Sequence, residues 1–144
     1  MKGWLLDTNI ISELRKPNCH PTVKQWADCQ SPRSFYLSAI TLAEIRFGIE
    51  RADDLAFREE LVQWLEGTLR PWFRDRILAV DEDVILKWRQ MIEKGRKQGY
   101  TYSQPDLFIA ATAALHDLCV ATRNVTDFQV SEVAVYNPFT DFQV

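Results

Sequence analysis

The stretch Trp4-Leu5-Leu6-Asp7-Thr8-Asn9 decides how this chain folds. Three apolar residues give way at once to an acid, a hydroxyl and an amide, a pattern typical of a short buried strand with polar side chains at its end. In open α/β sheets, ligands bind at the carboxyl ends of the strands, where Asp7 stands. These three polar residue types are also good helix N-caps, so helix capping is the alternative explanation of this acid.

Strands and helices alternate along the rest of the chain. Short apolar runs predict further strands within residues 34–38, 77–80, 118–121 and 133–136. Amphipathic spacing and helix-end residues predict helices at 10–15, 22–29, 41–50, 53–70, 81–97 and 105–117, with Pro71 ending the fourth and Gly99 closing the fifth. The apolar stripe of the fifth helix is Val84, Ile85, Trp88, Met91 and Ile92. This alternation predicts an α/β sandwich around a mainly parallel sheet.

The composition favours a soluble globular protein. With 144 residues, 47% of them hydrophobic and 26% charged, we expect a single domain over residues 1–144 with a full core. No apolar run approaches the ~20 residues of a membrane span, and the first residues do not follow a signal-peptide pattern. We therefore expect a cytoplasmic protein without a membrane partner.

Cysteine, histidine and charge content narrow the possible chemistry. The three cysteines are an odd number without metal-ligand spacing, and only two histidines occur, which disfavours a disulfide framework, a His-based zinc site and a Ser-His triad. The net charge is −3, from 17 basic and 20 acidic residues. If four acids gather in one metal pocket, 16 acids remain against 17 basic residues. The net charge therefore neither supports nor excludes a polyanionic substrate.

Glu44 is the second candidate acid. Helical geometry places it away from the apolar stripe of the 41–50 helix, and its i+4 neighbour is Gly48, so nothing bulky covers it from the next turn. A glycine inside a helix is costly, so a close approach of another group to this face would explain it. The alternative is a capping box between Thr41 and Glu44.

Asp106 and Asp127 complete the set of candidate acids. Asp106 follows Pro105 in the first turn of its helix, where the helix dipole alone stabilises an acid. Asp127 follows the fourth strand, again at a carboxyl end, although acids there are also common turn formers. Two of the four acids thus follow strands and two lie on helices. Without a shared site, capping or turn formation would have to explain each of the four acids independently.

Clustered carboxylates would select a hard divalent cation. Acids within ~4–6 Å of one another raise each other's pKa, so all of them stay ionised at neutral pH only around a cation. Oxygen ligands without His or Cys favour Mg²⁺ or Mn²⁺. Because Mg²⁺ keeps its waters and binds phosphates, phosphodiester hydrolysis is the natural reaction.

An ordered set of motifs resembles a known family over almost the whole chain. The motifs are residues 5–9 (LLDTN), 37–48 (LSAITLAEIRFG), 106–113 (DLFIAATA), 121–128 (ATRNVTDF) and 135–139 (VYNPF). Together they resemble the PIN-domain ribonucleases, particularly the FitB-like members of the VapC toxins of toxin–antitoxin pairs. The resemblance implies a PIN-like α/β/α sandwich with about five strands, and a Mg²⁺- or Mn²⁺-dependent endoribonuclease that cuts RNA.

The resemblance also implies roles for individual residues. Asp7, Glu44 and Asp106 match the metal-centred acids. The family places a fourth acid at one of two positions, which hold Asn124 and Asp127 in this chain. We take Asp127 as the fourth catalytic and metal-binding acid. The hydrogen-bonding support is assigned to Thr8, Thr122 and Asn124.

Partners follow from the same resemblance. It implies a homodimer and a cognate VapB-like antitoxin whose tail blocks the acidic pocket. Candidate contacts for that antitoxin are Trp88, Met91 and Tyr102, with core packing as the alternative for most of them. Arg15, Lys16 and Arg123 are candidates for steering RNA phosphates, and Arg51 is a weaker one; a solvated surface charge is the alternative for each.

Two other functions remain open from the sequence. A haloacid-dehalogenase-type phosphatase also begins with an acid after a strand, but it needs a second Asp where this chain has Asn9. A catalytically silent PIN-like module would bind RNA or a protein without cutting. The presence of Asp7, Glu44 and Asp106 favours the enzyme over the silent module.

Overall fold

The computed structural model describes residues 2–100, 104–128, 131 and 133–140. Its strands are β1 (Gly3–Leu6), β2 (Phe35–Ser38), β3 (Ile77–Leu78), β4 (Leu118–Ala121) and β5 (Val135–Tyr136). Its α-helices are α1 (Thr8–Arg15), α2 (Pro21–Asp28), α3 (Ala39–Glu50), α4 (Leu55–Trp64), α5 (Arg70–Trp72), α6 (Glu82–Lys97) and α7 (Gln104–His116). The predicted alternation of strands and helices is confirmed, although β3 and β5 are shorter than their apolar runs.

The five strands form one parallel sheet in the order β3-β2-β1-β4-β5. β1 lies at the centre, with Leu6 opposite Ala121 of β4. The chain moves outward from β1 to β2 and β3, and then returns to the other side of β1 to form β4 and β5. This reversal makes the crevice between the ends of β1 and β4 a topological switch point, where ligands bind in open α/β sheets.

Adjacent residues of β1 point to opposite faces of the sheet. Because the neighbours Leu5 and Leu6 are both apolar, each face needs a layer of helices to bury it. Leu6 is fully buried in a core with Ile10, Trp26 and other side chains from α1 to α4. Leu5 is fully buried on the other face, in a core with α6 and α7 that includes Val84. The predicted α/β/α sandwich is therefore confirmed.

The helix α3 does not begin with the capping box of Thr41 and Glu44 that the sequence offered as an alternative, so that alternative is wrong. Ser38, the last residue of β2, is the N-cap, and its hydroxyl accepts a hydrogen bond from the Ile40 amide at 3.0 Å. The helix thus begins before Thr41, whose hydroxyl is buried without a hydrogen-bond partner among the described residues. Glu44 consequently lies beyond the first turn of α3, where its carboxylate is not needed to cap the helix.

The predicted helix at 53–70 is interrupted, and it lies two residues later in the chain than expected. It begins after the N-cap Asp54, changes to a π-helical turn at Leu65–Leu69, and continues through α5 to Trp72. Pro71 therefore does not end the helix. The π-turn shifts the hydrogen-bond register, so the missing amide of this proline falls in the first turn of α5, where prolines are tolerated.

The end of α6 agrees with the prediction from the sequence. One residue of its predicted apolar stripe does not. Gly99 has a φ of +74°, and the Tyr100 amide donates to the Gly95 carbonyl at 2.8 Å, which is a Schellman cap as predicted. Ile85 belongs to the predicted apolar stripe but is 46% exposed. Over the described part of the chain, no helix combines the length and apolar character that crossing a bilayer requires.

Candidate active site

The polar residues that follow β1 and β4 meet at the switch point. The Asp7 amide donates to the Ala121 carbonyl at 3.0 Å and so extends the pairing of the two strands by one residue. The hydroxyl of Thr122, which is fully buried, donates to Oδ2 of Asp7 at 2.8 Å. A hydroxyl and a carboxylate 115 residues apart in sequence are thus fixed against each other.

Asp7 is at the same time the N-cap of α1. Its Oδ1 accepts a hydrogen bond from the Thr8 amide at 2.9 Å, while Oδ2 is turned toward Thr122. The capping role that the sequence left open is therefore confirmed, and it is compatible with a role in a site. Capping orients the carboxylate, and the second oxygen remains for the crevice.

Asn9, which was not among the predicted site residues, links the same elements. Its side-chain amide nitrogen lies 3.4 Å from Oδ2 of Asp7 and 3.3 Å from the Thr122 hydroxyl. Its side-chain oxygen Oδ1 accepts a hydrogen bond from the backbone amide of Arg123 at 3.0 Å. The usable signal was its position two residues after Asp7, at the same polar strand end.

Burial and neighbouring charges raise the pKa of two acids here. Burial is the main cause that raises the pKa of Asp7, and the charge of Asp127 adds to it, while the hydrogen bonds from Thr122 and Thr8 act against it. The pKa of Glu44 is raised by burial and then by the charge of Asp7. Asp7 therefore lies within electrostatic reach of both Glu44 and Asp127.

Asp106 belongs to the same edge of the sheet by topology. Because α7 runs back across the sheet before β4 begins, its first turn lies near the carboxyl ends of the strands. Glu44 shares a surface cavity of about 410 Å³ with Pro105 and Phe108, which flank Asp106 in the sequence. The Asp106 residue itself is half-buried.

The donors at this edge suit a hard cation. They are oxygen atoms, and two of the carboxylates have raised pKa values that a bound cation would lower again. The Thr8 hydroxyl is buried beside them without a hydrogen-bond partner in the described chain. Among the residues that the structure describes, however, no three His, Cys, Asp or Glu side chains are grouped closely enough to hold an ion.

Asn124, a predicted supporting residue, and Asp127, the predicted fourth acid, follow Thr122 in the chain. The Asn124 amide donates to the Thr122 hydroxyl at 3.0 Å, while the Asn124 residue is exposed. Asp127 is exposed at the end of a 3₁₀ turn, Val125–Asp127. The contribution of Asn124 to the observed network is thus made by its backbone.

The basic candidates separate into different environments. The Arg15 guanidinium lies 5.8 Å from the Phe57 ring centre and 5.9 Å from that of Trp64. The guanidinium of Arg123 covers the Phe139 ring at 4.5 Å. Lys16 and Arg51 contact other parts of the chain. The Lys16 ammonium pairs with the Glu13 carboxylate at 3.3 Å, and the Arg51 guanidinium lies over the Phe47 ring.

The candidate antitoxin contacts are mostly packed within the chain. Trp88 stacks on Phe108 with ring centres 4.9 Å apart, and Met91 is buried in the core beneath α6. Tyr102 lies outside the described residues. Core packing, the alternative given for these residues, describes Trp88 and Met91.

Comparisons with known proteins agree on one family. Residues 4–130 match the PIN domain. The chain is 39% identical over 137 residues to toxin FitB of Neisseria gonorrhoeae, a match that covers 95% of this chain and 99% of FitB. It is 36% identical over 135 residues to VapC ribonuclease Y4jK of Sinorhizobium fredii, covering 94% and 96%. The crystal structure of FitAcB from Neisseria gonorrhoeae matches with a TM-score of 0.89 at 39% identity, covering 95% of this chain and 99% of that one.

Proposed function

The chain belongs to the PIN-domain family, and we propose that it is a metal-dependent endoribonuclease toxin that cuts RNA. The observation that carries the proposal is the position of Asp7 at the switch point, bonded to Thr122 and electrostatically coupled to Glu44 and Asp127. The names of two relatives, a toxin and a ribonuclease, support the same function.

Asp7, Glu44, Asp106 and Asp127 would hold Mg²⁺ or Mn²⁺. The bound ion would polarise a phosphoryl oxygen and lower the pKa of an attacking water. Asp7 is oriented for this task by hydrogen bonds to both of its oxygens. Glu44, whose pKa is raised by burial and by the charge of Asp7, would share the ion with it.

The proposed toxin function also implies a protein partner, an assembly and a cellular location. Because a toxin must be restrained in the cell that makes it, we expect a cognate VapB-like antitoxin that covers the acidic pocket, and a homodimer as the assembly. The family match over residues 4–130 supports one nuclease domain. The three cysteines are all unpaired thiols, which supports a cytoplasmic location.

An RNA cleavage assay with added Mn²⁺ tests the proposal. The wild type should cut a single-stranded RNA, and Asp7→Asn and Asp106→Asn should each reduce the rate by at least about 100-fold. Asp28→Asn is the matched control, because Asp28 is an exposed acid paired with Lys24 on α2. If the wild type does not cut, or if both variants cut as fast as the control, the silent binding module is the better assignment.

A further inference from the structure

A groove of about 290 Å³ opens beside Glu44, between α1, α3 and α4. One wall is the polar face of α1, formed by Thr8, Ser12 and Arg15. The facing wall is apolar and includes Ile45, Ile49, Phe57, Leu61 and Trp64. We call this feature the α1 groove; it joins the candidate active site at Glu44.

Arg15 is held at the outer end of the α1 groove with its hydrogen-bond donors available. Its guanidinium lies over two aromatic rings, those of Phe57 and Trp64. No carboxylate of the described chain forms an ion pair with it. Aromatic contacts fix the plane of a guanidinium and leave its N–H groups for an anion.

Two hydroxyls continue this row toward Asp7. Ser12 and Thr8 precede Arg15 by three and seven residues, so all three lie on one face of α1. The Thr8 hydroxyl is buried and lacks a hydrogen-bond partner among the described residues, although it lines the groove. From Thr8 to Arg15 the helix rises about 10 Å, so a phosphate bound at Asp7 would lie too far from Arg15 for both residues to bind it.

The floor of the α1 groove is open at Gly48. A Cβ added at this glycine would meet nothing within 4 Å, and Gly48 itself lines the groove. The space therefore reaches from the hydroxyl and guanidinium groups of α1 to the apolar wall. The part of this wall that Arg15 does not cover is formed by Ile45, Ile49 and Leu61. Apolar side chains of this kind, with a few polar groups beside them, suit the base of a nucleoside.

We propose that the α1 groove is an RNA subsite for the nucleotide next to the cleaved bond. Arg15 and Ser12 bind the backbone phosphate adjacent to the scissile one, and the apolar wall receives the attached nucleoside. This inference rests on the proposed ribonuclease function and deepens it. It predicts that the enzyme requires RNA that extends past the cleaved bond on the groove side.

The test is equilibrium binding of a fluorescent single-stranded RNA, measured by anisotropy over a range of salt concentrations. All proteins carry Asp7→Asn, so that no RNA is cut during the titration. Arg15→Gln keeps a stem against the aromatic rings but removes the charge. It should weaken binding about tenfold and reduce the slope of log K against log salt by about 0.7.

Two further variants make the result specific. Arg51→Gln removes the same charge from an arginine that also lies over a ring, that of Phe47, but does not line the groove; it should bind RNA nearly as the parent does. Gly48→Leu narrows the groove without removing a contact and favours the helix, so it should weaken binding while the protein stays folded.

Equal affinities and salt slopes for Arg15→Gln and Arg51→Gln would overturn the subsite, as would unchanged binding by Gly48→Leu. If Arg15→Gln instead abolishes binding of a poly-glutamate peptide and leaves RNA binding intact, the groove takes protein carboxylates. These outcomes are separate from cleavage. A wild type that fails to cut RNA defeats the nuclease, whereas a wild type that cuts, with no effect of Arg15→Gln on binding, defeats only the subsite.

Discussion

Replacing Thr122 by valine tests how the site controls Asp7. Valine has nearly the same shape as threonine but cannot hydrogen bond, so the fully buried position keeps its packing. The change removes three hydrogen bonds at once: the one donated to Asp7 at 2.8 Å, and those accepted from Asn9 at 3.3 Å and from the Asn124 amide at 3.0 Å.

The expected cost follows from the bond to the carboxylate. A hydrogen bond to a charged group is worth about 1.5–3 kcal/mol, and the other two bonds are partly replaced by water. We therefore expect Thr122→Val to lower the free energy of unfolding by about 2–3 kcal/mol, which corresponds to a fall in Tm of about 8–12 °C.

The change should also depend on pH in a defined direction. The Thr122 hydrogen bond favours the ionised form and lowers the pKa of Asp7. Without that bond the pKa of Asp7 rises further, so the acidic limb of the pH profile for RNA cleavage moves to higher pH. The stability deficit of the variant should be largest where Asp7 is ionised in the wild-type protein, and it should shrink as the pH falls through the pKa of Asp7.

Thr112→Val is the matched control for these measurements. Thr112 is also fully buried and donates a 2.8 Å hydrogen bond, but to the backbone carbonyl of Phe108 within α7. Its stability cost, measured by urea unfolding, should be small and independent of pH, and its pH profile should match the wild type. The reasoning is refuted if Thr122→Val leaves the acidic limb in place, or if both variants show the same pH dependence.

Three further predictions follow from the same structure. Asn9→Ala should lower kcat about 10- to 100-fold with little change in KM, since Asn9 positions Asp7 and the Arg123 backbone; an unchanged kcat would remove Asn9 from the site. Gly3→Ala should cost about 1–3 kcal/mol in urea unfolding because its Cβ would lie 2.5 Å from the Ser34 carbonyl oxygen, whereas the control Gly48→Ala should stabilise by up to about 1 kcal/mol. The folded-state pKa of Asp7 lies above its ordinary value of 3.8, so its contribution to stability is complete below that pH and is lost as pH rises through the folded pKa. Asp7→Asn should therefore raise Tm in metal-free buffer at pH 7, and a lower Tm would contradict the burial of that carboxylate.

The central strands β1 and β4 could be predicted from the sequence because they are short and carry no polar side chain. Leu118–Ala121 is buried at every position and was predicted at the same bounds. β1 was recognised by the abrupt change from Leu6 to Asp7, and the burial on both of its faces explains the absence of alternation. The role of Gly99 could be predicted from the local sequence, because glycine readily adopts the positive φ that ends α6.

The features that the sequence did not reveal depend on competition between neighbours. Ser38 and Thr41 are both good N-caps, and only the end of β2 decides in favour of Ser38. The π-turn at Leu65–Leu69 has no residue signature, so the fate of Pro71 was not predictable. Ile85 fits a helical stripe by spacing, but the width of the face that α6 buries is set by its packing on α7.

In the candidate site, the acids were predicted by position and their connections were not. Strand-end acids are visible in a sequence, and parallel pairing brings Asp7 to the end of β4 without further information. The role of Asn9 depends on which side-chain atoms face Thr122 and Arg123, and that requires coordinates. The aromatic support of Arg15 comes from α4, more than 40 residues along the chain.

Isothermal titration calorimetry of Mn²⁺ into the wild type, Asp7→Asn and Asp106→Asn proteins, without RNA, tests whether these acids share a metal ion. If acids from the ends of β1 and the start of α7 share a divalent ion, the wild type binds Mn²⁺ and each substitution weakens binding at least about tenfold. Asp28→Asn should bind as the wild type does. A wild type that binds no Mn²⁺, or undiminished affinity in both substituted proteins, would show that Asp7 and Asp106 do not share a divalent ion.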